Sequence, residues 1–338
     1  MSLSPVSRSA PTMRDVAVAA GVSKALVSIV FRGAPGASES TRALVFAEAA
    51  KLGYRTNRTA SLLALRRTKH LGVTMIVRNA FHAELVEGIQ AAADAHGYEI
   101  VLATVTAGHD EGRAVETLLE FRCEALILLG SELTKARLAE LAGQLPVILV
   151  GRRVALNTLD VVRTADDHGL GLVIDHLVAL GHRQIAHVSG GRGPISTDRR
   201  RGYQRAMQRH GLGEFVHVLP GGASEEHGWR ATESLMAARR VPTAVTTFND
   251  HCALGVIDRL TRSGIAVPGR VSVTGYDNSP IAQFSAVDLT TVSQEAPTQA
   301  EWSVRAAVER LEGLRVRPQA SVLPPRLVVR GTTTQPTE

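Results

Sequence analysis

The 338-residue sequence has only two cysteines, few aromatic residues and no long apolar run. Cys123 and Cys252 lie in apolar surroundings and form neither a metal cluster nor a disulfide framework, so we expect two core residues in a reducing compartment. No segment is long and apolar enough to cross a bilayer. The first dozen residues lack the apolar centre of a secretory signal, so we expect 1–11 to be a disordered tail of a cytoplasmic protein.

Signatures of catalysis are missing as well. The scattered histidines form no HExxH-type metal spacing, and no G-x-S-x-G nucleophile elbow is present. The glycines of SGGRGP form neither a Walker loop nor a dinucleotide-binding loop. We therefore predict a protein that is not an enzyme and that uses no metal or other cofactor.

Positive charge is concentrated in the first fifth of the chain. Residues 1–70 contain eleven Lys and Arg against three acidic residues, a net charge of +8, whereas the remainder has a net charge of −2. Solubility alone does not require this segregation. A basic N-terminal module favours a polyanion as its partner, and nucleic acid is the usual one.

Residues 12–56 have the pattern of three short helices. Thr12 and Asp15 match a capping box, Gly21 suits a left-handed helix end, and Ser23 and Ser38 can cap the second and third helices. Two short helices joined by a tight turn, with a third as support, follow the helix-turn-helix plan, although an ordinary three-helix bundle has the same pattern. The residues expected to face the core are Val16, Ala17, Ala19, Ala20, Leu26, Val27, Val30, Leu44, Val45, Ala49 and Leu52.

Residues 57–70 form a short leucine-containing segment with nearby cations. A helix of this length is marginal by itself in water, so its leucines need a partner. One candidate is a bent minor groove, which accepts an apolar wedge, and the other is the surface of the next domain. The residues alone favour neither.

From Leu71 onward, apolar strands alternate with amphipathic helices, which predicts parallel sheets covered on both faces. Seven strands are expected, too many for one small sheet, so we predict two α/β lobes with a cleft between them. They lie at 71–77, 98–105, 125–130, 146–151, 184–190, 244–248 and 271–276. Ligands of such sheets bind beyond the carboxyl ends of the strands, where several polar residues occur together. Those residues include Arg78, Asn79, Phe81, Gly151, Arg152, Arg199, Asn249, Asp250 and Asp277.

With these residues in view, the chain resembles the LacI/GalR family of bacterial transcriptional repressors over nearly its whole length. The motifs that carry the resemblance are RDVAVAAGVS, LVALGHRQIAHVSG, VSVTGYDN, LTTVSQ and PPRLVVRG, in that order. The resemblance implies a helix-turn-helix headpiece, a hinge helix and a two-lobed core similar to type I periplasmic sugar-binding proteins. It further implies a dimer on a pseudo-palindromic operator, with a small-molecule effector between the lobes.

The resemblance also assigns DNA contacts. Lys24, Ala25 and Ile29 fall where the family contacts bases, and Leu63 matches the leucine that wedges into the central base step. The positions expected near phosphates, the backbone or the minor groove are Ser23, Ser28, Arg32, Ser38, Thr41, Asn57 and Ala60. The family often has Arg where this chain has Ile29, which cannot make the bidentate contact to guanine. We expect apolar contact there instead, for example with a thymine methyl group.

Effector contacts follow in the same way. Arg199, Asn249, Asp277 and Gln294 match family positions and together suit hydroxyl-rich ligands such as sugars. Phe81 lies at the same rim. Arg78 and Arg152 favour an anionic ligand, such as a sugar acid or sugar phosphate, if they also face the cleft. A residue missing between Gly72 and Asn79, compared with many relatives, makes the contact of Arg78 doubtful.

The resemblance sets the domain boundaries as well. The core is expected over 71–332, followed by a short tail over 333–338. One lobe would take about 71–163 and 295–323, and the other about 164–294 and 324–332. No leucine heptad precedes the C-terminus, so we expect a dimer rather than a coiled-coil tetramer. The predicted protein is a cytoplasmic, nucleoid-associated regulator; a soluble sugar-binding receptor without a role on DNA is the alternative.

Overall fold

The computed structural model describes residues 11–31, 34–54, 67–237 and 241–337. Contacts within the chain divide it into two compact units, Met1–Thr68 and Lys69–Glu338. Residues 1–10 of the predicted tail and 57–66 of the predicted hinge lie outside the described residues.

Three helices make up the described part of the first unit: α1 (Met13–Ala19), α2 (Lys24–Phe31) and α3 (Glu39–Leu52). Each begins where the capping residues predict. Thr12 closes a capping box ahead of α1. The hydroxyls of Ser23 and Ser38 accept backbone N–H groups three residues further on, at 3.1 and 3.2 Å. Gly21, with φ of 63°, makes the tight turn between α1 and α2, so the helix-turn-helix prediction is confirmed.

The core of this unit is small. Val16, Val27 and Val45 contribute one fully buried side chain from each helix. The expectation that Ala19, Leu44 and Leu52 are buried is wrong, because all three are exposed. Each helix buries only one narrow face, and these three faces together fill the core.

The second unit begins with a lobe built on a six-stranded sheet in the order β11-β5-β4-β3-β1-β2, with every pair parallel. Its strands are β1 (His70–Ile76), β2 (Glu99–Val105), β3 (Ala125–Leu129), β4 (Val147–Val150), β5 (Asp160–Thr164) and β11 (Ala320–Leu323). Its helices are α4 (Ala80–Ala95), α5 (Glu111–Glu120), α6 (Lys135–Ala142) and α11 (Ala296–Leu311).

Both faces of this sheet are covered. Ile127 and Leu129 of β3 pack with α4 and α11, whereas the alternating Leu126 and Leu128 pack with α5 and α6. A strand buried on both faces reads as a continuous apolar run, and this is why ALILL was recognisable in the sequence.

The second lobe has a parallel four-stranded sheet in the order β7-β6-β8-β9 and a separate antiparallel pair, β10 and β12. These strands are β6 (Ile185–Val188), β7 (His217–Leu219), β8 (Ala244–Thr247), β9 (Ser272–Thr274), β10 (Thr291–Ser293) and β12 (Arg326–Val328). The helices are α7 (Asp166–Ala179), α8 (Pro194–Arg209), α9 (Glu225–Ala237) and α10 (Asp250–Arg262). Helices α7 and α8 cover one face, and α9 and α10 cover the other.

The chain passes between the lobes three times, after β5, after β10 and between β11 and β12. All seven predicted strands are present, and the prediction of two parallel-sheet lobes is confirmed. Five further strands were not predicted: β5, β7, β10, β11 and β12. Within the described residues, none of the helices has both the length and the apolar character needed to span a membrane.

Candidate functional site

A cleft of about 410 Å³ lies between the two lobes at the carboxyl ends of their strands. The first lobe lines it with residues that follow β1 and β3, including Arg78, His82 and Glu132. The second lobe lines it with the loop before α8, the start of α9 and Phe248 after β8. The sequence rule that ligands bind beyond the strand ends predicted this location.

The cleft narrows to an inner end of about 40 Å³, where most of the predicted effector residues meet. The two cavities share Asn79, His82, Gly130, Ile195 and Phe248. The predicted residues at the inner end are Phe81, Arg199, Asn249, Asp277 and Gln294. Arg78 lines the outer part. The fold therefore brings six of the seven predicted positions together.

Arg199 is the most constrained of these side chains. It is only 3% exposed, its Nε donates to Asp166 at 2.8 Å, and its Nη1 donates to the carbonyl of Phe248 at 2.5 Å. The guanidinium also lies 3.7 Å from the ring centroid of Tyr276 and 3.4 Å from Asp277 Oδ1. Burial opposes its charge, but the neighbouring carboxylates outweigh that effect and raise the pKa of Arg199.

Asp277 presents a carboxylate beside Arg199 in unusual backbone geometry. Its φ of 109° is rare for a residue with a side chain, and Gln294 Nε2 donates to its Oδ1 at 2.6 Å. Burial raises the pKa of Asp277 to about 8, against the opposing effect of Arg199. Arg199, Asp277 and Gln294 thus hold one another in fixed directions before any ligand arrives.

Asn249 lines the cleft mainly as a structural residue. Its Oδ1 accepts the N–H of Cys252 at 2.9 Å and so caps α10, and its Nδ2 donates to the carbonyl of Ala223 at 3.0 Å. Both ends of the amide are therefore engaged within the second lobe.

Arg152 does not face the cleft, contrary to expectation. It lines neither cavity, and its Nη2 donates to the carbonyl of Leu133 at 2.7 Å. The side chain folds back onto the loop before α6, because the carbonyl of Leu133 and the nearby carboxylates of Glu111 and Glu132 attract its guanidinium. Arg152 is therefore not among the residues that line the cleft.

Several residues that line the cleft were not predicted: His82, Glu132, Arg192, Ser196, His227 and Phe248. Phe248 ends a predicted strand, so the strand-end rule could have found it. His82 lies in the first turn of α4, and nothing in the sequence distinguishes it from the chain's other histidines.

The headpiece places Lys24 and Ala25 on the exposed first turn of α2 and leaves Ser28 and Ile29 half-buried. At the start of α3, the hydroxyls of Ser38 and Thr41 lie 2.8 Å apart. Four further predicted DNA contacts lie outside the described residues: Arg32, Asn57, Ala60 and Leu63.

Comparisons with known proteins agree with this arrangement. Residues 12–57 match the family "Bacterial regulatory proteins, lacI family", and residues 174–333 match the "Periplasmic binding protein-like domain". The HTH-type transcriptional regulator GalS of Salmonella typhimurium is 31% identical over 308 residues, covering 89% of this chain and 90% of GalS.

Solved structures give the same result. A LacI transcriptional regulator from a Rhodococcus species is 42% identical with a TM-score of 0.76, covering 79% of this chain and 98% of that one. The Lac repressor dimer bound to operator and the anti-inducer ONPF is 29% identical with a TM-score of 0.86, covering 96% of this chain and 100% of that one.

A helix-turn-helix unit joined to a two-lobed core of the periplasmic-binding type defines a DNA-binding transcriptional regulator. The chain belongs to the LacI family of bacterial regulatory proteins.

Proposed function

We propose that the protein is a cytoplasmic repressor that binds a pseudo-palindromic operator as a dimer and that a sugar or sugar derivative in the interlobe cleft controls its affinity. The observation that carries the effector is the inner end of the cleft, where Arg199, Asp277 and Gln294 offer donors and acceptors in fixed directions. The similar Lac repressor structure, a dimer with operator and anti-inducer, supports the same combination here.

Base recognition depends on the exposed first turn of α2. Lys24 and Ala25 reach base edges, and Lys24 can select guanine, whereas Ile29 reads an apolar feature such as a thymine methyl group. Phosphate contacts come from the residues around the two helix starts and the end of α2: Ser23, Ser28, Arg32, Ser38 and Thr41. Asn57 and Ala60 approach the backbone or minor groove, and Leu63 wedges into the central base step.

Control by the effector is a two-state equilibrium. Two headpieces occupy half-sites about one helical turn apart, and the ligand changes operator affinity only through its different affinity for the two arrangements of the core. The ligand is hydroxyl-rich. An acidic group on it would meet Arg78 at the mouth of the cleft.

Selection of duplexes from a random pool by the full chain tests the DNA half of the proposal. We expect an inverted repeat, bound with a steep dependence on salt because phosphate contacts release counterions. In an Ile29→Arg variant, the base preference at one position of each half-site should change to guanine. A pool without any enriched sequence would exclude the proposed regulator and leave a sugar-binding receptor.

A second variant tests the wedge. Leu63→Ala should weaken binding to the selected operator far more than binding to unrelated duplex, because only the specific complex bends the DNA. Equal losses on both duplexes would exclude the wedge.

A further inference from the structure

The two walls at the inner end of the cleft differ in chemistry. The second-lobe side presents the polar Arg199, Asn249 and Asp277 beside the apolar Ile195 and Phe248, with Gln294 where the chain crosses. The first-lobe side is formed by Phe81, Leu85, Val150, two glycines and only two polar side chains, Asn79 and His82. The Oδ1 of Asn79 is engaged, since it accepts the N–H of Phe81 at the start of α4.

His82 is buried and its tautomer is set by the backbone. The side chain is 4% exposed, and its Nδ1 lies 3.1 Å from the backbone nitrogen of Ile76, which donates to it. Burial lowers the pKa of His82 to about 4, so the ring is neutral near pH 7. A neutral imidazole whose Nδ1 accepts a hydrogen bond carries its proton on Nε2.

The Nε2–H group makes no hydrogen bond to any described residue. The backbone of Gly130 lies close to this nitrogen, since a Cβ atom added at Gly130 would be 2.9 Å from Nε2. Both His82 and Gly130 line the outer and the inner cavity, so this edge of the ring borders the cleft. The donor therefore faces the cleft, and a ligand oxygen at this point would accept its hydrogen bond.

We propose that His82 is a specificity-determining residue that donates its Nε2–H to an acceptor oxygen of the cleft ligand, either a hydroxyl, a carbonyl or a carboxylate oxygen. This inference rests on the proposed function of the cleft. It makes His82 a polar contact from the first lobe at the inner end of the cleft, opposite the polar side chains of the second lobe. A ligand bound to both walls holds the lobes at one separation, so His82 links ligand chemistry to lobe closure.

Two amide variants distinguish the role of Nδ1 from the role of Nε2. His82→Asn can keep an acceptor for the Ile76 N–H but has no atom at the Nε2 position. His82→Gln can place an amide N–H where Nε2 lies but gives up the Nδ1 acceptor. A purely structural role predicts that Asn is the better replacement in every assay, whereas the ligand contact predicts that Gln is the better replacement for binding.

The full-length protein is first screened by thermal shift with neutral sugars, sugar acids and sugar phosphates, including D-galactose, D-ribose, cellobiose and D-gluconate. Calorimetry then measures the ligands that stabilise the wild type. We expect His82→Asn to weaken binding by about 10- to 100-fold while melting near the wild type, because a desolvated ligand oxygen loses its donor. His82→Gln should bind more tightly than His82→Asn although it melts lower.

His187→Phe serves as the matched control, because it also removes a buried imidazole but lies outside both cavities. It should bind the ligand as the wild type does. Equal affinity in wild type and His82→Asn would overturn the inference and leave the proposed function standing. Stabilisation by no member of the panel would overturn the sugar effector itself, and the His82 contact with it.

Nitrogen NMR of the histidine rings provides a second readout. His82, assigned by its absence from the spectrum of His82→Asn, should show a protonated Nε2 and an unprotonated Nδ1 at neutral pH, and the Nε2–H signal should shift when the ligand binds. A protonated Nδ1 in the free protein would overturn the inference without regard to any ligand.

Discussion

Removal of Arg199 should destabilise the second lobe strongly. Arg199→Met keeps much of the side-chain volume but removes the positive charge that faces Asp166 at 2.8 Å and Asp277 at 3.4 Å. Both carboxyl groups are largely buried, with 3% side-chain exposure for Asp166 and 10% for Asp277. The variant therefore has two buried acids without their cation.

The magnitude follows from this burial. Breaking a buried ion pair by removing one partner costs about 3–5 kcal/mol in the free energy of unfolding. Loss of the guanidinium also raises the pKa of both carboxyl groups further, since burial already raises them and Arg199 opposes that effect. Asp277, with a pKa of about 8 in the wild type, is mostly protonated below that pH in both proteins, so the pH dependence comes from Asp166. As the pH falls, the carboxylate of Asp166 in the variant binds a proton and loses its charge, so the difference between variant and wild type should be smaller at pH 5 than at pH 8.

Urea unfolding in a Trp302→Phe background measures the effect, since Trp229 of α9 then reports on the second lobe. The matched control is Arg209→Met, which breaks the exposed pair with Asp175 on the same two helices and should cost within about 1 kcal/mol. A loss for Arg199→Met no larger than that of the control, or a difference that does not change with pH, would refute the reasoning.

Three further outcomes are expected. Burial lowers the pKa of His187 to about 3, so wild-type stability should decrease by about 1.4 kcal/mol per pH unit below pH 6.5 from this group, and His187→Phe should remove that part of the pH dependence in urea unfolding. Gly255→Ala places a methyl group on the carbonyl oxygen of Glu225 and should cost about 1–3 kcal/mol, whereas Gly171→Ala, with open space around it, should not destabilise the second lobe. Ser38→Ala should lower headpiece stability by about 1 kcal/mol in thermal unfolding, and Ser38→Asn, which can still cap α3, should not.

The sequence alone was sufficient for the elements whose signals are local. Thr12, Ser23 and Ser38 mark helix starts because a capping side chain bonds backbone groups within three residues. The central strands, such as β3 and β4, can be predicted from the sequence because burial on both faces requires unbroken apolar runs. The short strands β7, β10 and β12 have three residues each, too few for a periodic pattern.

Only the tertiary structure decided which polar residues share the cleft. Arg152 and Arg199 were both predicted near the ligand, yet Arg152 folds back onto a carbonyl and Arg199 lies between two carboxylates. His82 has no sequence signal, because its role depends on Ile76 and Gly130 meeting it from neighbouring strands. The packing of sheets and helices decides which distant parts of the chain surround a given side chain. No periodicity within a single segment encodes that packing.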